Sequence, residues 1–491
     1  MRNPFLILAL AAGIAVSHGA VGIQAGVDFS RHLRDWDGFG VNYVQVAQTR
    51  DYQADPQEYG GFSLLSEQQR REIIELIFGP DGLKPGLLKM FLDPYHEETN
   101  DNNDPNRINP KGFDHTTTTG WLRYFAREGL ARTRSRGGNL SIITTLYGPP
   151  AWCTRQKFVR GRDLDPAMKY EVAEYIIAWA RYLRGAEKLP VDFIAFHNEG
   201  EDWARWPLDG SDAGRPNHDF NMFWPPEQVV DFIKFTREML DRQGLKAVGI
   251  APGETTNWTR FHEWGYASAI ANDPAAVRAL GLITSHGFIS LNTASRWFGD
   301  WRSAGPDLIR EKNPRLHAWV TSQSWSKMDV NFLNEIRGNI YATKVNGIIP
   351  WAAVQRPAKW VGGDPNPGCA INIDEQGNYL VRPGYYWYKQ VSRAGQPGMA
   401  VAEVVTNDSE VGLMAFARNA TAHPDAFVVL NLSRIDKPMT IRVKGTPARS
   451  FKAFRTSPGE QYGDAGAFDV EGGLISYTAP PGSATTFFAA P

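Results

Sequence analysis

The chain has 491 residues, room for two or three domains, and its 42% hydrophobic and 21% charged content is that of an ordinary globular protein. Fifty-two basic residues stand against 53 acidic ones, and this net charge of −1 gives no support for a nucleic-acid partner or an acidic membrane held by bulk electrostatics. Two cysteines, Cys153 and Cys369, exclude a disulfide scaffold and any zinc site of three or more thiolates, leaving only their mutual pairing open.

Residues 1–20 predict a secretory leader: Arg2, an apolar run Phe5–Val16, then Ser17-His18-Gly19-Ala20. The run is short for a membrane span, so the mature chain is expected to be exported and to have no membrane partner once the leader is removed. From residue 39 to about 352, eight short apolar runs recur: Phe39–Val44, Leu87–Leu92, Leu140–Leu146, Phe193–Phe196, Ala247–Ile250, Leu282–Ser285, His317–Thr321 and Gly347–Pro350. Helical patterns such as Ser66–Phe78, Pro166–Arg184 and Pro226–Gln243 lie between them. Apolar strands alternating with amphipathic helices argue for a parallel sheet, and eight of them for a closed (β/α)8 TIM barrel over residues 38–394. A doubly wound open sheet is the competitor, but no glycine-rich phosphate loop follows the first strand.

Past residue 395 the texture changes. Val401–Val405, Val411–Arg418, Ala426–Leu432, Thr440–Val443 and Phe451–Thr456 are short strand-like runs between turn residues. They predict a C-terminal antiparallel β-sandwich side domain over 395–491, entered from a last barrel helix at Tyr385–Val391. The N-terminal segment 21–37, through Val27–Trp36, is expected to join that sandwich.

In such a barrel, chemistry sits at the C-terminal strand ends. Those ends here read Asp93-Pro94-Tyr95-His96, Tyr147-Gly148-Pro149-Pro150-Ala151-Trp152, His197-Asn198-Glu199-Gly200-Glu201, Pro252-Gly253-Glu254, His286-Gly287-Phe288, Ser322-Gln323-Ser324-Trp325 and Trp351. Carboxylates, amides and indoles on one rim suit a carbohydrate, whose C–H faces need aromatic cover and whose hydroxyls need fixed polar groups. Glu199, directly after Phe193–Phe196 and beside an amide, is the candidate catalytic carboxylate. Asn198, His286, Glu254, Tyr147, Trp152, Trp325, Trp351 and Trp203 are candidate sugar contacts, with 100–119 and 201–224 as walls. His197, Glu199 and His286 lack metal-motif spacing, so no metal or other cofactor is expected.

These motifs, in this order, resemble glycoside hydrolase clan A, and most of all family 30 with its relative, family 59. Gly38-Phe39-Gly40 is similar to the opening of the family's first strand, and Gly148-Pro149-Pro150-Ala151-Trp152 to its Ser-Pro-Pro-Ala-Trp. Asn198-Glu199 resembles the pair whose glutamate is the general acid/base, and Tyr385–Ser392 followed by Gly395–Gly398 the approach to the side sandwich. The resemblance implies a secreted hydrolase of β-linked glycosides. It also exposes a departure: the family's seventh strand ends in a nucleophilic glutamate, and Gln323 stands there instead. A neutral amide neither attacks an anomeric carbon well nor offsets its developing positive charge. The open readings are an introduced Glu→Gln exchange, another carboxylate (Glu254, Asp93 or Glu201) activating water in an inverting route, a 2-acetamido group of the substrate acting with Gln323, or a retired enzyme that only binds glycan.

Overall fold

The computed structural model describes residues 22–46, 58–205, 220–288, 301–325, 329–356 and 368–490. The expected leader at 1–20 lies outside them, as does 206–219 in the middle of the expected wall loop. The chain begins with β1 (Ile23–Asp35) and then enters a barrel of eight parallel strands. These are β2 (Gly38–Asn42), β3 (Leu87–Leu92), β4 (Ser141–Leu146), β5 (Val191–Ala195), β6 (Gly249–Ala251), β7 (Ile283–Ser285), β8 (Ala318–Val320) and β9 (Gly347–Ile348). They pair in the order β6-β5-β4-β3-β2-β9-β8-β7. The seam between β6 and β7 is closed by the Gly281 and Leu282 N–H groups, which donate to the Ile250 carbonyl at 2.9 and 3.2 Å. A Cβ on Gly281 would meet the Gly249 Cα at 2.7 Å, so this approach requires glycine.

Helices cover the barrel, which is why β3 reads Leu-Leu-Lys-Met-Phe-Leu and is buried along its whole length. Helix α1 (Glu67–Phe78) shows how one is specified. Ser66 accepts the Gln69 N–H, Gln69 returns the bond to the Ser66 N–H, and Ile73, Ile74, Ile77 and Phe78 turn inward at helical spacing. Helices α2 (Gly120–Ser135), α3 (Lys169–Gly185) and α4 (Pro226–Arg242) follow β3, β4 and β5. The last barrel helix spans Pro383–Ala394.

A small sheet of β10 (Val354–Gln355), β11 (Ile371–Ile373) and β12 (Tyr379–Val381) precedes the side domain. The C-terminal strands of that domain are β13 (Ala400–Thr406), β14 (Val411–Ala417), β15 (Ala426–Asn431), β16 (Lys437–Lys444), β17 (Ser450–Ser457), β18 (Glu460–Asp469), β19 (Leu474–Ala479) and β20 (Ser483–Ala489). With β1 they form one nine-stranded sheet that rolls on itself, in the order β18-β17-β20-β15-β14-β13-β1-β16-β19. Phe468 and Tyr477 come from the two ends of that order, yet their rings lie 5.4 Å apart, closing the sandwich over Phe427, Phe451 and Phe487. Neighbours run antiparallel except β1 and β16, which are parallel. Trp36, just after β1, ties the two parts together. Its indole N–H donates to the Gly395 carbonyl at 3.0 Å, and its ring packs on Phe39 of β2 and Phe416 of β14.

Candidate active site

Because all eight strands run parallel, the residues following each one converge on a single rim. Glu199 follows β5. Its backbone sits in the left-handed region (φ +52°), a conformation that costs a side-chain-bearing residue about 1–3 kcal/mol and is held where the surroundings over-determine it. Here the Glu199 N–H donates to the Glu254 carbonyl at 2.6 Å, and the Glu254 N–H to the His197 carbonyl at 2.9 Å, locking the ends of β5 and β6 together. The Glu199 carboxyl retains 14% exposure.

His286, after β7, bridges two carboxylates. Its Nδ1 lies 2.9 Å from Glu199 Oε1 and its Nε2 3.2 Å from Glu254 Oε2. Glu254 is fully buried. Burial alone would raise it, but the ammonium of Lys89 beside it and the bond from His286 hold it at about 2. Thr145 on β4 donates to its other oxygen at 2.7 Å. Glu254 is therefore an ionised acceptor, and Nε2 of His286 must carry a hydrogen. One further proton then lies between Nδ1 and Glu199. Burial opposes charge on His286, yet bonds to the two glutamates raise it above the ordinary histidine value, which favours retention of that proton by the Glu199–His286 pair.

Gln323, after β8, is fully buried, with its orientation fixed from outside. Asn339 of the helix Val330–Tyr341 donates through Nδ2 to the Gly287 and Glu335 carbonyls, both at 3.3 Å, which identifies that atom as nitrogen. The Gln323 atom facing it at 3.2 Å is therefore the oxygen. The amide nitrogen is the other end, buried and without a hydrogen-bond partner among the described residues. Position 323 thus offers a donor where a family 30 enzyme is expected to carry a nucleophilic oxygen.

The structure brings Glu199, His286 and Glu254 together directly, and Asn198 through Lys89 Nζ at 3.5 Å. Trp351 stands beside Gln323, its backbone N–H donating to the Gln323 backbone carbonyl at 3.0 Å and its ring flanked by Tyr59 and Phe91. Tyr147 is buried edge-on to Phe91. Trp152 is half-buried and donates to the Glu97 carbonyl at 3.1 Å. Trp203 is 60% exposed, at the edge of 206–219. Trp325 lies beneath the rim, fully buried against Tyr388 and Phe332, so its ring faces belong to the core. His197 is buried against Trp224; burial pushes it down to about 4, and its Nδ1 accepts the Gly200 N–H. Cys153 keeps a free thiol that donates to the Pro150 carbonyl.

Of the carboxylates weighed as bases, Asp93 is bonded to His96 Nε2 and the Tyr95 N–H, and Glu201 to Arg260 and Thr256. Lys89, Thr145 and Asn339 are site residues that the strand-end motifs do not show. The one signal for Lys89 is a charge in the middle of an apolar barrel strand, tolerable only when paired.

No protein-family model and no curated protein matches the sequence. Among solved structures the fold is similar to that of glycoside hydrolase family 30 enzymes. The catalytic domain of the family 30 xylanase C from Talaromyces cellulolyticus aligns with a TM-score of 0.69 at 17% identity, over 95% of this chain and 100% of that one. A family 30 endoxylanase from Clostridium papyrosolvens aligns with a TM-score of 0.66 at 14% identity, over 95% and 100%. A conserved exported protein from Bacteroides fragilis aligns with a TM-score of 0.70 at 12% identity, over 94% and 99%. Among the described residues, no helix is long and apolar enough to cross a membrane.

Proposed function

We propose that the chain is an exported glycoside hydrolase of β-linked glycans, in which Glu199 protonates the departing sugar oxygen. The observation that carries this reading is the Glu199–His286–Glu254 chain, in which one proton is shared between His286 Nδ1 and a partly exposed carboxyl at the barrel mouth. The fold is one in which xylanases and an endo-β1,6-glucanase occur, which supports a polysaccharide or oligosaccharide substrate. Asn198, Trp152 and Trp351 are the proposed sugar contacts.

The charge that develops at the anomeric carbon is not met by position 323, whose oxygen is already engaged by Asn339. Asp93, Glu201 and Glu254 are each committed to protein partners, and a carboxyl held at about 2 is a weak base. The geometry therefore favours a nucleophile carried by the substrate, for which a 2-acetamido group has the required chemistry. The test is a panel of β-linked polysaccharides and aryl β-glycosides with product anomers resolved by NMR. Turnover with retention, abolished in Glu199→Gln at an unchanged thermal midpoint, is expected; full activity in Glu199→Gln would refute the assignment, and inversion would return the role of base to a protein carboxylate.

A second reading, a glycan-binding protein on a glycosidase scaffold, is favoured by the amide at 323. Glycan binding without turnover in the parent, and hydrolysis appearing only in Gln323→Glu, would establish it.

A further inference from the structure

Away from the catalytic rim, three carboxylates meet without an ion-pair partner among the described residues. Asp101 lies on the loop between β3 and α2, while Glu171 and Glu174 stand three residues apart on one face of α3. One oxygen from each falls within a common span of 4.8 Å. Glu171 is 5% and Glu174 2% exposed, and each of the three residues has a buried carboxylate oxygen with no hydrogen-bond partner. After burial, the groups acting most strongly on Glu171 and Glu174 are each other, through a shared hydrogen bond, and then Asp101, with Asp104 and Glu97 beyond, all of them acidic. Buried carboxylates need a partner, and among the described residues those oxygens have neither a cation nor a donor.

We propose that Asp101, Glu171 and Glu174 form a calcium site that pins the loop 97–114 to α3. An all-oxygen donor set selects a hard cation over zinc or copper. Calcium ligands lie at about 2.3–2.6 Å, so donors on opposite sides of the ion stand roughly 4.6–5.2 Å apart, and three oxygens within 4.8 Å of one another can share one such ion; magnesium, which demands near-ideal octahedral geometry and dehydrates reluctantly, suits an irregular carboxylate cluster less well. The loop is already shaped by its own Asp and Asn side chains. Asp101 accepts the Asn109 N–H at 2.6 Å, Glu97 accepts the Asp101 N–H at 2.7 Å, and Asn102 donates to the Arg107 carbonyl at 2.8 Å. Backbone carbonyls and water complete the coordination. The site would steady the rim from outside, because the Glu97 carbonyl holds Trp152 and the Asp93 carbonyl holds Tyr175 of the same helix.

Isothermal titration of the metal-stripped full chain with calcium chloride tests this, alongside thermal midpoints in calcium and in EDTA. The expected result is saturable binding of one calcium ion, a midpoint several degrees higher in calcium than in EDTA, and weaker binding of magnesium. Glu171→Gln/Glu174→Gln should remain folded in EDTA, with a midpoint no lower than that of the parent there, and should lose both the binding and the calcium-dependent shift. No binding at millimolar calcium, or a shift that survives in the double variant, overturns the proposal.

Discussion

Lys89→Met isolates the energetic centre of the site. Lys89 and Glu254 are both fully buried, and their ion pair is the main reason the Glu254 carboxyl stands at about 2 in place of the ordinary 4.5. At 1.36 kcal/mol for each pH unit, that gap represents about 3 kcal/mol of folding stability. The folded-state value is depressed, so this contribution is complete above about pH 4.5 and is lost as pH falls toward 2. Removing one partner of a buried pair costs about 3–5 kcal/mol, in agreement with that figure, because the remaining charge is left in the interior. Urea unfolding at pH 7 should therefore show Lys89→Met about 3 kcal/mol below the parent, with the deficit shrinking toward pH 4 as Glu254 takes up a proton. Lys89→Met/Glu254→Gln should recover much of the loss at pH 7. A single-variant deficit under about 1 kcal/mol, or one that is equal at pH 7 and pH 4, would refute this account of the site.

The remaining predictions address function and packing separately. His286→Gln removes the group that shares the proton of Glu199; since the raised histidine keeps that proton until pH climbs through its elevated value, the alkaline limb of kcat/KM should move to lower pH, and turnover should fall by about 100-fold. An unchanged limb would remove His286 from proton storage. Trp325→Ala should cost about 3–5 kcal/mol by opening a cavity against Tyr388 and Phe332, whereas Trp152→Ala should chiefly raise KM; calorimetry and initial rates separate the two. Ser66→Ala breaks the capping box of α1 and should lower stability by about 1 kcal/mol with kinetics untouched.

The barrel strands are legible in the sequence because each is short, apolar and followed by a turn, and all eight expected runs coincide with observed strands. Helix α1 is legible because serine and glutamine specify its first turn locally. The last three strands of the side sheet are not. Glu460–Asp469 contains two glycines, Gly463 and Gly466, and few apolar residues, and Ser483–Ala489 opens on small residues, so neither shows a clean period of two. At the site, Glu199, His286 and Glu254 are readable because each follows its strand directly. Lys89, Thr145 and Asn339 act from within a strand or from a helix that packs behind the rim, and only the fold brings them near. The burial of Trp325 escapes the same reasoning, since an indole two residues beyond Gln323 reads equally as a platform or as a plug.

The thirteen residues of β1 belong to the side sheet but are synthesised before any of the barrel, wedged between β13 and β16. A version cut back to residue 394 would keep β1 and lose both of its neighbours, exposing two bare edges that invite association with other chains. The two lobes are thus laced by a thread passing through one, around the other and back, and neither can be excised by a single cut. A shorter recombinant form that keeps Ile23–Asp35 should therefore also keep the strands through Ser483–Ala489.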